Sequence, residues 1–194
     1  MPILNQFKVD GQTALVTGCK RGIGKAMATA LAEAGADIVG VSATLETEGS
    51  GVEKAVTDRG RQFKGYACDF SDRPALYRFI SQVKSDFPQI DILINNAGNA
   101  HGLDPIHEGS LDDWDAMMDI NVKGLLYVSK AVIPQMVKRQ SGHIINIGSS
   151  AGKEVYPKGN VYCGSKHAVV ALTEGMRIDL NPFGIKVTAI NPGL

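Results

Sequence analysis

The sequence has few cysteines, no charge excess of either sign and no long hydrophobic run. Its 194 residues contain only three cysteines, Cys19, Cys68 and Cys163, which lie far apart. An odd number of widely spaced cysteines argues against a disulfide framework and is typical of a reducing compartment, so we expect a cytoplasmic location. The four histidines show no metal-ligand spacing, and we expect no metal site.

Charge and hydropathy also limit the partners that we expect. Twenty basic residues balance 20 acidic ones, so no basic excess points to nucleic acid or to an anionic membrane surface. The longest apolar runs have the length of strands, which is too short for a transmembrane helix. Residues 1–6 lack the pattern of a secretory signal. We therefore expect a single domain with a small-molecule substrate.

Short β-branched runs alternate with longer amphipathic stretches along the chain. The runs predict six strands, at residues 13–17, 37–41, 62–67, 90–95, 143–147 and 186–190. The stretches predict five helices, at about residues 23–34, 47–59, 71–87, 110–138 and 161–180. We expect Ser71 to cap the third helix and the fourth helix to break or bend before Pro134. Because strands that are apolar on both faces need helices on both faces, this order predicts an α/β fold with a doubly wound, Rossmann-like parallel sheet.

A glycine-rich loop separates the first strand from the first helix. Gly18, Gly22 and Gly24 follow the spacing G-x-x-x-G-x-G. Glycine permits a tight turn and a close approach of the backbone to a pyrophosphate, and the helix N-terminus offers free N–H groups. A purely structural turn is the alternative, but the position in the first βαβ unit favours dinucleotide binding.

The end of the second strand bears on the choice of dinucleotide. Residues 42–44 are Ser-Ala-Thr, and the first carboxylate is Glu46. An acidic residue directly at this strand end would bind the ribose hydroxyls and repel a 2′-phosphate. Lys20 and Arg21, together with the Ser42 hydroxyl, suit a phosphomonoester, although they can equally be read as solvated loop residues. We favour NADP over NAD.

Tyr162 and Lys166 form a Tyr-x-x-x-Lys pair on the last predicted helix. Residues at this spacing share one helix face, and a nearby ammonium group favours the phenolate form of a phenol. Ser149 follows the fifth strand, and ligand sites in such sheets lie at the carboxyl ends of strands. Ser149 is therefore expected to hydrogen-bond a reacting oxygen near Tyr162, with Ser150 as the rival and turn stabilisation as the alternative.

Several asparagines stand out. Asn95-Asn96-Ala97-Gly98 closes the fourth strand and is expected to brace the sheet centre and line a cofactor cleft, although asparagine is also a common turn residue. Asn121 lies in an otherwise apolar helical stretch, where an amide needs a hydrogen-bonding partner.

These residues, in this order, resemble the motifs of short-chain dehydrogenases/reductases. The resemblance extends from about Phe7 to Leu194. The motifs that carry it are Thr17-Gly18-x-x-x-Gly22-x-Gly24, Asn95-Asn96-Ala97-Gly98, Asn121, Ser149, Tyr162-x-x-x-Lys166 and Pro192-Gly193.

The resemblance implies a role for each catalytic residue. Tyr162 would be the general acid/base, and Lys166 would support it and hold the nicotinamide ribose. Ser149 would orient the substrate oxygen, and Asn121 would bind a water molecule linked to Lys166. The residues expected to contact NAD(P) are Gly18, Lys20, Arg21, Gly22, Ile23, Gly24, Ser42, Asp69, Phe70, Asn95, Ala97, Gly98, Tyr162, Lys166, Pro192 and Gly193.

The resemblance to particular subfamilies changes along the chain. The part up to about Gly98 resembles 2-deoxy-gluconate 3-dehydrogenases, and the part from about His101 resembles serine/3-hydroxy-acid dehydrogenases. Because the second half supplies most of the substrate side, we favour a small hydroxy acid as substrate of an oxidoreductase. A sugar acid, a polyol, an acyl-carrier substrate and a non-catalytic nucleotide-binding fragment remain alternatives, as does a chimeric origin.

The resemblance also bears on the C-terminal end and on assembly. Family members usually continue beyond the Pro192-Gly193 segment with a substrate-covering segment, a strand and a helix, so we expect a C-terminally shortened chain with its sixth strand at a sheet edge. In the family, the helices that correspond to residues 112–138 and 161–180 form a dimer face. We therefore expect a homo-oligomer, either a dimer or a tetramer.

Overall fold

Apolar runs form six parallel strands in one sheet. The computed structural model describes residues 3–193. The expectations for the two chain ends involve Met1, Pro2 and Leu194, which lie outside the described residues. The strands are β1 (Thr13–Thr17), β2 (Asp37–Ser42), β3 (Phe63–Ala67), β4 (Ile92–Asn95), β5 (His143–Ile147) and β6 (Lys186–Ile190). Their order is β3-β2-β1-β4-β5-β6, and all neighbours pair in parallel. The predicted doubly wound, Rossmann-like sheet is confirmed.

Helices connect the strands, and two of them begin later than the sequence predicts. The helices are α1 (Gly22–Glu33), α2 (Gly51–Thr57), α3 (Arg73–Asp86), α4 (Leu111–Met118), α5 (Leu125–Arg139) and α6 (Asn160–Leu180). α2 starts only at Gly51 because Ser50 and Glu53 form a reciprocal capping box. α3 is capped by Asp72, whose carboxylate accepts from Ala75 N at 3.0 Å. The prediction that Ser71 is this cap is wrong, because the Ser71 hydroxyl donates to Asp69 instead.

The fourth predicted helix is interrupted, but not where proline suggested. α5 runs without a break through Pro134, so the predicted break at the proline is not found. The irregularity lies 10 or more residues earlier, where Asp119–Gly124 forms a π-helical segment between α4 and α5. A proline removes a single helical N–H bond, whereas this segment is held by side-chain contacts from distant parts of the chain, described below.

Two apolar layers cover the sheet. One face packs against α1 and α2 through residues such as Val16, Ala28 and Val56. The other face packs against α3, α5 and α6, with Leu93 and Met136 fully buried. Alternate residues of each strand point to opposite layers, which explains why the strands are apolar throughout. None of the helices within residues 3–193 is long and apolar enough to cross a membrane.

The strand order reverses between β1 and β4, which lie side by side at the centre of the sheet. The chain leaves β1 towards α1 on one face, whereas α5, the helix that leads from β4 into β5, packs on the other face. The two connections therefore diverge and open a crevice at the carboxyl ends of the central strands. Such a crevice is the general ligand site of open α/β sheets.

Candidate active site

The loop after β1 forms one wall of this crevice. Gly18 has a φ of +69°, and a Cβ at Gly24 would collide with the Gly18 carbonyl oxygen, so both positions require glycine. The N-cap of α1 is Arg21, and no side chain caps the first turn. Ser50, Asp72 and Ser110, by contrast, cap α2, α3 and α4. The first-turn N–H groups of α1 thus remain available to an anion.

A buried threonine joins this loop to the loop after β4. Thr17 Oγ1 accepts from Asn96 N at 2.9 Å and from Ala97 N at 2.8 Å. It lies 3.3 Å from the Ile94 carbonyl, to which it donates. In return, Asn96 Nδ2 donates to the carbonyl oxygens of Thr17 and Gly18. The two walls of the crevice are therefore fixed to each other. The sequence analysis did not assign this role to Thr17 or Asn96.

The crevice contains a cavity of about 860 Å³. This volume lies within the usual range for ligand sites. Fifteen of the 16 predicted cofactor-contact residues line it, and so does Ser149. Asn96, expected to line the cleft, and Ser150, the rival of Ser149, also line it, as do residues that were not predicted, among them Thr44, Asn99, Ala100, Ile120 and Gly148. Residues from all parts of the chain thus meet in one cavity, as the sequence predicts.

Asn95 is the exception: of its two expected roles, it braces the sheet centre but does not line the cavity. Its side chain is 4% exposed and does not line the cavity. Strand alternation turns it under the site, where Nδ2 donates to Ser129 Oγ and Asn146 Oδ1, each at 2.9 Å. The next residue, Asn96, lies just beyond β4 and lines the cavity. Asn95 is the last residue of β4 and shares the strand parity of Leu93, which points to the layer of α3, α5 and α6.

Tyr162 and Lys166 meet at the cavity as the helical spacing predicts. Lys166 Nζ lies 5.8 Å from the centre of the Tyr162 ring and donates to the Ile147 carbonyl at 3.1 Å. The lysine is only 6% exposed. Burial lowers its pKa to about 8, from 10.5. A cation is thus held beside the phenol at a cost in solvation, which is typical of a functional site.

Ser149 caps a short 3₁₀ turn, Ser150–Gly152, at the end of β5. Its Oγ accepts from Ala151 N at 3.2 Å, so the alternative of turn stabilisation is partly correct. The hydroxyl proton is not used by that bond and remains available to an oxygen in the cavity. Ser150 also lines the cavity, and its backbone N–H donates to the Pro192 carbonyl at 2.9 Å.

Asn121 finds the partners that its sequence context requires. It lies in the π-helical segment, is 2% exposed and stands behind the cavity wall. Its Nδ2 donates to Asn99 O at 2.9 Å, and its Oδ1 accepts from Asn99 N at 2.8 Å. A Cβ at Gly98 would lie 3.1 Å from Asn121 Oδ1 and 3.4 Å from Lys166 Nζ. Glycine at this position therefore leaves open a space that both polar groups border.

The opposite end of the cavity carries Lys20, Arg21 and Ser42. The Lys20 backbone N–H donates to Ser42 Oγ at 3.0 Å. Its side chain is held by Glu46, with Nζ 2.7 Å from Oε1, and the same pairing lowers the pKa of Glu46. Arg21 is exposed and lines the cavity. Asp69 also lines it and accepts from Ser71 N at 2.9 Å.

Comparison with known proteins agrees with this geometry. The chain is 49% identical over 191 residues to a 2-dehydro-3-deoxy-D-gluconate 5-dehydrogenase of Pseudoalteromonas atlantica, covering 98% of the chain and 75% of that enzyme. It is 38% identical over 180 residues to an NADP-dependent 3-hydroxy acid dehydrogenase of Salmonella typhi, covering 93% and 71%. A crystal structure of a Burkholderia cenocepacia gluconate 5-dehydrogenase with NADP and tartrate superposes with a TM-score of 0.88 at 35% identity, covering 98% of the chain and 74% of that structure.

The family model for short chain dehydrogenases matches residues 12–194, which include every element of the sheet and all the motif residues. This match agrees with the strand order, the glycine loop and the meeting of Tyr162 with Lys166. The chain belongs to the short-chain dehydrogenase family.

Proposed function

We propose that the protein is an oxidoreductase that transfers a hydride between a nicotinamide dinucleotide and the carbon of a secondary alcohol or ketone. The observation that carries this proposal is that Ser149, Tyr162 and Lys166 line the same cavity as the glycine loop. The loop leads from β1 to the uncapped N-terminus of α1, and β4 separates β1 from β5, the strand that Ser149 follows. The reacting oxygen and the phosphates of a dinucleotide would thus meet different parts of one crevice.

The cavity residues fit such a cofactor. A Cβ placed at Gly22 would meet no atom within 4 Å, so the loop leaves room for a phosphate beside the N-terminus of α1. We assign the pyrophosphate to the loop from Gly18 to Gly24, the adenine side to Asp69 and Phe70, and the nicotinamide ribose to Tyr162 and Lys166. When bound, the dinucleotide supplies the hydride acceptor or donor.

The chain itself handles the proton and the orientation of the substrate. We assign the general acid/base to the Tyr162 hydroxyl, which exchanges a proton with the substrate oxygen. Ser149 donates a hydrogen bond to that oxygen and holds it within reach of the phenol. The Lys166 ammonium stabilises the phenolate electrostatically. The Ile147 carbonyl fixes the ammonium at 3.1 Å, so its charge stays beside the ring.

We propose that NADP is preferred over NAD. Arg21 and the Ser42 hydroxyl supply a guanidinium and a donor at the end of β2, where no carboxylate faces the cavity. Glu46 weakens this preference, since it already pairs with Lys20. We therefore expect a modest preference, with Arg21→Ala removing it.

The substrate class that we propose is a small hydroxy acid, with sugar acids included. The 49% identity to a sugar-acid dehydrogenase extends over both halves of the chain and supports a sugar acid. The 3-hydroxy acids are supported by the second relative, at 38% identity. Both classes carry a secondary alcohol and a carboxylate on one short carbon chain.

A substrate panel tests this function. Purified protein is assayed for NADP⁺ and NAD⁺ reduction with 2-dehydro-3-deoxy-D-gluconate, D-gluconate, 3-hydroxybutyrate and xylitol. We expect Tyr162→Phe to lower kcat by at least about 100-fold, whereas Tyr127→Phe, which removes a phenol from α5, leaves it within twofold. Unchanged turnover in Tyr162→Phe would refute the mechanism. Quenching of Trp114 fluorescence by cofactor without oxidation of any substrate would favour the non-catalytic fragment.

We also propose that the protein is a homo-oligomer. Exposed apolar side chains lie on the helices that the family uses for assembly, with Leu111 70% and Ile178 72% exposed. Large exposed aliphatic residues on a helix often mark an interface. Sedimentation equilibrium distinguishes monomer, dimer and tetramer, and a monomer at micromolar concentration would contradict this expectation.

A further inference from the structure

Ser165 is a buried hydroxyl between the two catalytic residues of α6. It is 0% exposed and does not line the cavity, so it cannot touch a ligand there. Its Oγ donates to the Tyr162 carbonyl at 2.7 Å and accepts from Asn121 Nδ2 at 3.0 Å. Ser165 therefore joins the backbone of the residue that exchanges the proton to the π-helical segment.

These two bonds decide which way the Asn121 amide points. A serine hydroxyl has a single proton, and Ser165 uses it on Tyr162. Only its lone pairs remain for Asn121, so the asparagine must present its NH₂ group to Ser165. The Asn99 backbone requires the same orientation, because its carbonyl accepts from Nδ2 and its N–H donates to Oδ1. Two separate segments thus exclude the flipped amide.

The orientation has a consequence at Lys166. With Nδ2 directed to Ser165, Oδ1 borders the space at Gly98 that Lys166 Nζ also borders. A flipped or displaced amide would bring hydrogen-bond donors towards that space, beside a cation. The asparagine oxygen is thus held near the ammonium by a residue that touches neither the cavity nor the lysine's charged end.

We propose that Ser165 is a positioning residue for the reaction, which acts through Asn121 to keep an acceptor oxygen beside Lys166. This inference rests on the proposed function, since it concerns the same site. It goes beyond that function in assigning a role to a side chain outside the cavity.

The chain offers a matched control. Ser129 is 1% exposed and its Oγ accepts from Asn95 Nδ2 at 2.9 Å, which is the same type of bond in the same kind of environment. Among residues 3–193, no hydrogen bond joins the Ser129 side chain to Asn121 or Tyr162. Ser165→Ala and Ser129→Ala each remove one buried hydroxyl and leave one asparagine donor without a partner.

The experiment compares these variants with the best substrate of the panel. We expect Ser165→Ala to lower kcat roughly tenfold with the cofactor Kd within twofold, and Ser129→Ala to leave kcat within twofold at a similar loss in Tm. In an Asn121→Ala background, Ser165→Ala is expected to add less than twofold. The proposal would be overturned if both serine variants lost the same factor in kcat. It would also be overturned if Ser165→Ala still lowered kcat about tenfold in the Asn121→Ala background.

A second readout does not depend on turnover. The Asn99 N–H is protected by its bond to Asn121 Oδ1, and we expect its hydrogen exchange to accelerate about tenfold in Ser165→Ala but not in Ser129→Ala. Unchanged exchange at Asn99 overturns the positioning role. If the wild-type protein oxidises no substrate of the panel, but exchange at Asn99 is still faster in Ser165→Ala, only the proposed function is overturned.

Discussion

Replacing Lys166 by methionine tests whether the site holds a charge at the expense of stability. Methionine keeps the length and apolar character of the side chain and removes the ammonium. Burial lowers the pKa of Lys166 from 10.5 to about 8, and each pKa unit corresponds to about 1.4 kcal/mol. At pH 7 the lysine is charged in both states, so burial of its charge destabilises the fold by about 3 kcal/mol.

The penalty is expected to shrink as pH rises. Between pH 8 and 10.5 the unfolded chain binds the Lys166 proton more tightly than the folded chain, so the wild type gains stability as pH rises through this window. At pH 9.5 the remaining penalty is about 1 kcal/mol. We therefore expect the stability advantage of Lys166→Met to decrease by about 2 kcal/mol between pH 7 and pH 9.5. That decrease is a relative shift in the urea midpoint on the order of 1 M.

Urea denaturation of both proteins at the two pH values measures this difference, and other titrating groups cancel because both proteins share them. A stability difference that stays the same at pH 7 and pH 9.5 would refute the argument that a buried ammonium carries the cost. Lys138→Met, on the last turn of α5, is the control for removing a charge elsewhere. We expect its effect to be within 0.5 kcal/mol, as is usual for a surface substitution.

Two further predictions concern groups around the site. Gly98→Ala places a methyl group close to both Asn121 Oδ1 and Lys166 Nζ, and we expect kcat to fall about tenfold. Gly164→Ala is the control, because a Cβ there meets no atom within 4 Å, and we expect it to leave kcat within twofold. Equal kcat values for both alanine variants would contradict this. Thr17→Val leaves the partly buried N–H groups of Asn96 and Ala97 without their acceptor, and we expect a loss of about 2–4 kcal/mol in urea denaturation. Thr17→Ser keeps the oxygen and is expected to lose less than half as much.

The sheet and the site could be predicted because their signals are local. Each strand is a short apolar run, and the alternation of strands with helices then predicts a doubly wound parallel sheet without any knowledge of distant contacts. The Tyr162–Lys166 pair needs only the pitch of a helix, and the glycine loop needs only the strand before it. These features therefore followed from neighbouring residues alone.

The features that the sequence analysis missed depend on residues far apart in the chain. The π-helical segment is held by Asn121, whose partners Asn99 and Ser165 lie 22 and 44 residues away. Pro134 was the stronger local signal, but a helix packed against the sheet tolerates the loss of one N–H bond. The choice of Asn96 over Asn95 needs the direction in which each side chain leaves the strand, which a single run of sequence does not state.

The π-helical segment also restricts how this gene can change. One wide turn contains a residue more than the α-helical path would need, so deleting a residue within Asp119–Gly124 would restore regular winding. All of α4 would then rotate by about 100° relative to α5, and the amide of residue 121 would leave α6. Surface loops of the chain can gain or lose residues at small cost, but here the geometry of the site fixes the number of residues.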